Sequence, residues 1–367
     1  MITRRGRSLR ALIVLVLAAS AVASVTPAAI AAPGFFGVTS TFQPDGADLA
    51  RMGQAHVGNL RLPFGWEELE PSPGTYNFSN FDPVMAGAAA LGIPVRPFVF
   101  GTPPWARDCS GIPAFYCDRV TPMRSAIGRQ RWPLMLQALV ARYGPRGSFW
   151  TDPSDAYAPP YDPITEWQLW NEPNSATYMR PKPTPKAYYQ LLRSATPAIH
   201  QVDPGARIIL AGLFGTPPNG MTMWRFLDKL YRFKHVRGLF DAVALHPYSP
   251  NIKGIAFQLR KARQVLQRRH AKRTKVYLTE IGWGSGHGRS NLYKGVKGQK
   301  KMLKAAFKFS RKNRKRYRIA GVDWFSWRDI PADMSGNCAL CTSFGLLNLD
   351  HTPKPALAAF TRFTGGR

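Results

Sequence analysis

The chain has 367 residues, 45% of them hydrophobic, with 50 Lys and Arg against 21 Asp and Glu and a formal net charge of +29. That length exceeds one small domain and fits one large α/β barrel, while the charge is well beyond what solubility alone asks of a domain. The only uncharged apolar run long enough to consider as a span is N-terminal, which excludes a multi-span membrane protein.

Arg4, Arg5, Arg7 and Arg10 precede an apolar run from Ala11 to Val25, and Ala29-Ile30-Ala31 supplies a small-x-small cleavage site. This layout reads as a secretory signal peptide over residues 1–31, leaving 32–367 as an exported, single-domain protein with no membrane span. The apolar run is shorter than the ~20 residues a spanning helix needs, so an uncleaved anchor is the weaker reading. The Arg4-Arg5 pair leaves both the general and the twin-arginine export routes open. Four cysteines follow the leader. In an oxidising compartment their spacing suggests the disulfides Cys109–Cys117 and Cys338–Cys341. Zinc ligation is the lesser alternative, because the gap from Cys109 to Cys117 does not resemble a zinc knuckle, and no metal or cofactor is expected.

Eight strand-like stretches follow in order: 35–39, 57–64, 95–100, the stretch from Thr165, 207–212, 240–246, 275–280 and 322–327. Helical patterns separate them: a short one from Asp48, then 81–91, 132–143, 185–200, 223–233, 255–270 and 298–312, with a last one at 355–363. Strands alternating with helices imply right-handed crossovers and a parallel sheet, and eight units point to a closed (β/α)8 TIM barrel. A doubly wound open sheet would need a phosphate-cradling glycine fingerprint after the first strand, which Gly34 and Gly37 do not make. The inserted segments 101–129 and 329–344 follow strands, so each cysteine pair would brace the rim of the catalytic face of a barrel.

Polar residues end several of these strands. Arg61 ends the second, Asn171 and Glu172 the fourth, His246 and Tyr248 the sixth, Glu280 the seventh and Trp327 the eighth. Each alone fits a packed structural role, but barrel closure would bring them together. Two carboxylates flanking one bond suit glycosidic cleavage, one protonated to serve the leaving oxygen and one ionised to attack the anomeric carbon. Arg61 and Tyr248 would hold Glu280 ionised, while the less compensated Glu172 keeps a raised proton affinity. Asn171 would reach a sugar hydroxyl, and Trp66, Trp105, Trp283 and Trp327 would offer flat faces to sugar rings.

Trp170-Asn171-Glu172-Pro173, His246-Pro247-Tyr248, Thr279-Glu280-Ile281-Gly282-Trp283 and Trp324-Phe325-Ser326-Trp327 resemble the strand-four, -six, -seven and -eight signatures of the retaining (β/α)8 glycoside hydrolases that share an Asn-Glu-Pro motif. Family 39 and its bacterial exopolysaccharide-hydrolase relatives are the nearest in character, followed by family 5 cellulases. The resemblance implies Glu172 as acid/base, Glu280 as nucleophile, Arg61 and Tyr248 as its neighbours and Trp327 under the reacting sugar. Family 39 xylosidases and iduronidases usually add a β-rich domain that this chain lacks, so an open groove for polymers and endo action are expected. A non-catalytic polysaccharide-binding barrel is the alternative.

The positive charge concentrates between Arg260 and Lys275 and between Lys294 and Arg318, on helices of the outer ring. A solvated face and adhesion to an anionic cell wall or acidic exopolymer are both open readings, the latter screened over ~8 Å at physiological ionic strength. Nucleic acid is not an expected partner of an exported chain without a recognised binding module, and the chain is read as a monomer.

Overall fold

The computed structural model describes residues 34–152, 154–333 and 338–366. The expected leader, 1–31, lies outside the described residues, so its reading stays an expectation. Among the described residues no helix is long and apolar enough to cross a membrane.

Strands β1 (Phe36–Thr39), β2 (Leu60–Gly65), β3 (Val95–Phe100), β4 (Glu166–Leu169), β5 (Arg207–Phe214), β6 (Ala242–His246), β7 (Lys275–Ile281) and β8 (Ile319–Phe325) close into one barrel in sequence order. All neighbours are parallel, β8 pairing back onto β1. The principal helices are α1 (Gly46–Gln54), α2 (Asp82–Ala90), α3 (Ala126–Tyr143), α4 (Pro185–Val202), α5 (Met223–Leu230), α6 (Ile252–Arg268), α7 (Gly295–Lys312) and α8 (Pro355–Thr364). This is the single (β/α)8 barrel that the alternation of strand and helix patterns requires.

Hydrophobic period alone marks the helix starts late, and caps set them earlier in the structure. Ser125 accepts from Gly128 N and starts α3 six residues before Trp132, and Asn251 accepts from Gly254 N and starts α6 three residues before Ile255. The fourth strand needs a larger correction. It stops at Leu169, not on the carboxylate, because Trp170 and Glu172 take left-handed φ values of 73° and 40°. Trp170 N still donates to Val99 O and Glu172 N to Gly212 O. The chain therefore leaves the ladder one step at a time, turning the Glu172 side chain over the barrel mouth. Likewise β8 ends at Phe325, so Ser326 and Trp327 already belong to the loop.

Two devices hold this frayed corner. Fully buried Tyr188, on α4, donates its hydroxyl to Leu169 O and accepts from Ala211 N, bridging β4 and β5 just where their pairing ends. Asn174 donates to the carbonyls of Phe214 and Met221 and accepts from Phe214 N, which fastens the loop after β4 to the end of β5. Between them, the β5–β6 register shifts from Leu210 to Leu213. A Cβ on Gly212 would lie 1.9 Å from His246 Nε2, so only glycine lets that ring stand inside the barrel. Gly212→Ala is expected to cost roughly 1–3 kcal/mol, the range for overpacking a filled interior, and to displace His246. A thermal melt equal to wild type would refute this.

Candidate active site

The barrel interior is polar at its upper end. Arg61 on β2 is fully buried and fills its donors in three directions: Nε to Gln168 Oε1 at 2.7 Å, Nη1 to Glu280 Oε1 at 2.8 Å and Nη2 to Asn171 Oδ1 at 3.0 Å. Its guanidinium carbon lies 3.9 Å from the Phe98 ring centroid. One side chain thus ties β2 to β4, to the loop after β4 and to β7. Asn171 commits its carbonyl end to Arg61, which leaves its NH2 as the end able to donate to a ligand.

Glu280 receives a second bond from Tyr248, whose hydroxyl donates to Oε2 at 2.9 Å. His246 Nδ1 stands 2.7 Å from Glu172 Oε1 and 3.4 Å from Glu280 Oε2, and its Nε2 is 3.0 Å from Thr279 Oγ1. One carboxylate oxygen of Glu172, one of Glu280 and a ring nitrogen of His246 all lie within 4.8 Å of one another. Glu172 is 5% exposed and Glu280 7%, so both acids touch the mouth of the barrel through a narrow opening. Barrel closure therefore brings Arg61, Asn171, Glu172, His246, Tyr248 and Glu280 together.

Their proton affinities diverge for identifiable reasons. Burial, then the charge of Glu280, pushes the Glu172 carboxyl well above the usual carboxylate range, and Arg61 offsets this only in part. Burial also raises Glu280, but Arg61 and the Tyr248 hydroxyl both pull it back. Burial and the neighbouring Arg61 charge keep His246 well below the ordinary imidazole value, hence neutral. A neutral His246 has two arrangements. It donates from Nδ1 to an ionised Glu172 while accepting from Thr279, or it accepts at Nδ1 from a protonated Glu172 and donates to Thr279. In either arrangement the ring is uncharged. The same three groups have the spacing of a metal triad, but the Arg61 guanidinium already occupies a Glu280 oxygen and opposes a cation there.

The aromatic expectations divide. Trp66, Trp283 and Trp327 are each 0% exposed. Their indole nitrogens point into the protein, Trp66 to Glu70 Oε2, Trp283 to Ser249 O and Trp327 to Asp48 Oδ1. They are therefore withdrawn as sugar platforms in this structure, since sequence cannot say which face of a tryptophan a neighbouring helix will cover. Trp105, half-buried, stands edge-on to Trp66 and donates to Glu70 O. The cysteines sit at bonding distance in the expected pairs, with Cα separations of 5.6 Å for Cys109–Cys117 and 5.3 Å for Cys338–Cys341, one in the loop after β3 and one after β8.

Sequence reasoning missed several supporting residues. Phe214, Phe325 and Phe344 surround the Tyr248 ring at 5.6, 6.3 and 6.1 Å between centroids. Buried Lys354 donates to Asp329 Oδ1 at 2.6 Å and to Ser285 Oγ at 2.9 Å, pinning the loop that carries Phe344. A lysine seventy residues from its serine partner gives no local signal. Deeper in the barrel, Arg96 pairs with Glu166 at 3.0 Å and Asp323 at 3.2 Å, a separate structural plug.

Among known proteins, a family model described as Glyco_hydro_42, beta-galactosidase, matches residues 44–115. No curated protein sequence matches the chain significantly. Solved structures do. A family 39 glycoside hydrolase from the gut symbiont Bacteroides cellulosilyticus WH2 is 20% identical, with 90% of this chain and 63% of that one covered at a TM-score of 0.63. The barrel is the one these glycoside hydrolases use. A monomeric beta-xylosidase from Caulobacter crescentus CB15 is 17% identical, covering 89% of this chain and 66% of that one at 0.64. An exo-beta-1,4-mannosidase from Opitutaceae bacterium strain TAV5 is 16% identical, covering 92% and 62% at 0.63. At such identities the likeness is one of fold, and the chain spans just under two thirds of the length of these three structures.

The Glu172 environment has a consequence for stability. A carboxyl whose folded proton affinity is raised holds its proton while the unfolded chain has lost its own, so stability is full below the unfolded value near 4.5 and falls as pH rises toward the folded one. Glu172→Gln removes this loss. The variant's melting temperature is expected to gain on wild type as pH is raised from 5 to 8, and parallel curves in differential scanning calorimetry would contradict the assignment.

Proposed function

We propose that this protein is a secreted retaining glycoside hydrolase that cleaves β-O-glycosidic bonds within a polysaccharide by double displacement. The observation that carries this reading is the pair Glu172 and Glu280, with oxygens within 4.8 Å and unequal compensation by Arg61 and Tyr248. Retaining enzymes hold their carboxyls ~5–5.5 Å apart, whereas inverting ones leave room for a water between the general base and the sugar. Glu172 donates its proton to the glycosidic oxygen while Glu280 attacks the anomeric carbon, and the leaving sugar departs as an alcohol. Glu172, now ionised, takes a proton from water, whose oxygen attacks the same carbon and releases Glu280. His246, kept neutral, stays hydrogen-bonded to Glu172 and orients its carboxyl across these two steps. The Asn171 NH2 is placed to donate to the hydroxyl next to the reacting carbon, a contact that strengthens as charge develops.

The likeness to a beta-xylosidase and an exo-beta-1,4-mannosidase supports a sugar substrate but does not select one. We read the chain as acting alone as a monomer and, through the basic helices α6 and α7, as adhering to an anionic wall or exopolymer. The rival is a barrel that binds polysaccharide without cutting it. Incubation with activated 2-fluoro glycosides followed by peptide mass spectrometry separates the two. A covalent adduct on Glu280 is expected, and its absence across gluco, xylo, manno and galacto probes would favour the rival. Glu172→Gln is expected to slow polymers by about 10²–10⁴-fold while sparing aryl glycosides with good leaving groups. Equal losses on both substrate classes would remove Glu172 as the acid.

A further inference from the structure

From Ala242 to Val322 the chain carries 12 lysines and 10 arginines, and its one carboxylate side chain is Glu280, inside the barrel. The surface contributed by this quarter of the barrel therefore has no acidic residue of its own. Charge of one sign at this density repels itself, so the arrangement opposes folding unless something else balances it.

At the bottom of the barrel, the face opposite Glu172 and Glu280, this surface holds a cavity of about 410 Å³. It lies between the start of β6, the start of β7 and the ends of α5 and α6. Tyr231 and Phe240 form buried walls, and the exposed side chains of Arg237, His270, Lys272 and Arg273 ring it. Among the described residues, the guanidiniums of Arg237, Arg263 and Arg318 hydrogen-bond to main-chain carbonyls, not to carboxylates. Arg237 donates to Arg269 O at 2.6 and 3.2 Å, Arg263 to Thr274 O at 2.8 Å and Lys272 O at 2.6 Å, and Arg318 to Arg273 O at 2.9 Å. A carbonyl satisfies the N–H geometry but leaves the positive charge uncancelled. Burial, then the charge of Arg318, lowers the Arg263 proton affinity. Asp228 and Asp241 do not line the cavity: Asp228 pairs with Arg232, Arg268 and Arg269, and Asp241 accepts from Ile208 N.

We propose that this bottom cavity is a second carbohydrate-binding site, taking a carboxylate-bearing sugar of an acidic polysaccharide. Two aromatic walls give a sugar ring apolar contact, and the ring of uncompensated cations gives its carboxylate charge-assisted hydrogen bonds, the combination that a bare phosphate backbone would use only in half. This site is separate from the α6 and α7 surface proposed above for adhesion, and it is independent of the chemistry assigned to Glu172 and Glu280. Because the cavity faces away from the barrel mouth, the polymer it holds is an anchor, separate from the chain being cut.

The test uses the full chain and isothermal titration with trigalacturonate, at about 0.15 M salt where long-range attraction is screened beyond ~8 Å. Replacing Arg237, Lys272 and Arg273 together by Gln is expected to weaken binding by about tenfold or more, while the same charge loss at Lys300, Lys304 and Lys308 on α7 changes it less than about threefold. Calorimetric melts confirm that both triple variants fold, and the Glu280 adduct reports separately on the chemistry. Equal losses in the two variants, or no trigalacturonate binding by wild type, would overturn the proposal. So would a preference for duplex DNA of equal charge over oligogalacturonate, which would assign the cavity to phosphate.

Discussion

The site depends on one buried cation. Arg61 has no contact with water, and a guanidinium so placed is tolerated only when its charge and its donors are met from within the protein. Gln168, Glu280 and Asn171 meet them from β4, β7 and the loop after β4. Removing any one leaves a buried charge partly unsatisfied, so the contact that helps hold the fold also pulls down the proton affinity of Glu280. Glu172 has no such partner. It meets a neutral imidazole instead, and burial does the rest. Two identical side chains a few ångströms apart thereby differ in proton affinity by position alone.

The geometry that permits this is made by breaking the barrel's regularity at one corner. The early exit of β4, the register shift in β5 and the bare Cα of Gly212 create the space into which His246 points. Tyr188 and Asn174 replace the lost ladder bonds with side-chain ones, so backbone groups exposed by the irregularity are still paired. Sheet irregularity placed beside functional side chains is a recurring device for re-aiming them.

The sequence made the barrel legible because eight short β-rich stretches alternate with longer 3.6-period patterns, and only closure accommodates eight parallel strands in order. It also made the acids legible, because Glu172 before Pro173 and Glu280 before Ile281-Gly282 sit where strands stop. It could not show where β4 ends, since the left-handed turns at Trp170 and Glu172 come from tertiary bonds to Val99 and Gly212. Nor could it sort the tryptophans: Trp66, Trp283 and Trp327 were read as platforms from their positions, but helix packing and the acceptors Glu70, Ser249 and Asp48 turn them inward. Tyr188, Lys354 and Gly212 carried no pattern at all, because each acts through one contact distant in sequence. The basic helices were visible as a charge run, but the absence of carboxylate partners around Arg237, Arg263 and Arg318 became apparent only from their bonds.

The central claim is that Arg61 and Tyr248 give Glu280 the lower proton affinity of the pair. Carbon-13 NMR titration of glutamate labelled at the side-chain carboxyl, with Glu172→Gln and Glu280→Gln to assign the two resonances, measures this directly. Because the two groups interact, the titration belongs to the pair, and each variant shows which carboxyl ionises first. Glu280 is expected to lose its proton first, with Glu172 retaining its own to higher pH. Observing Glu172 ionised while Glu280 remains protonated would contradict it.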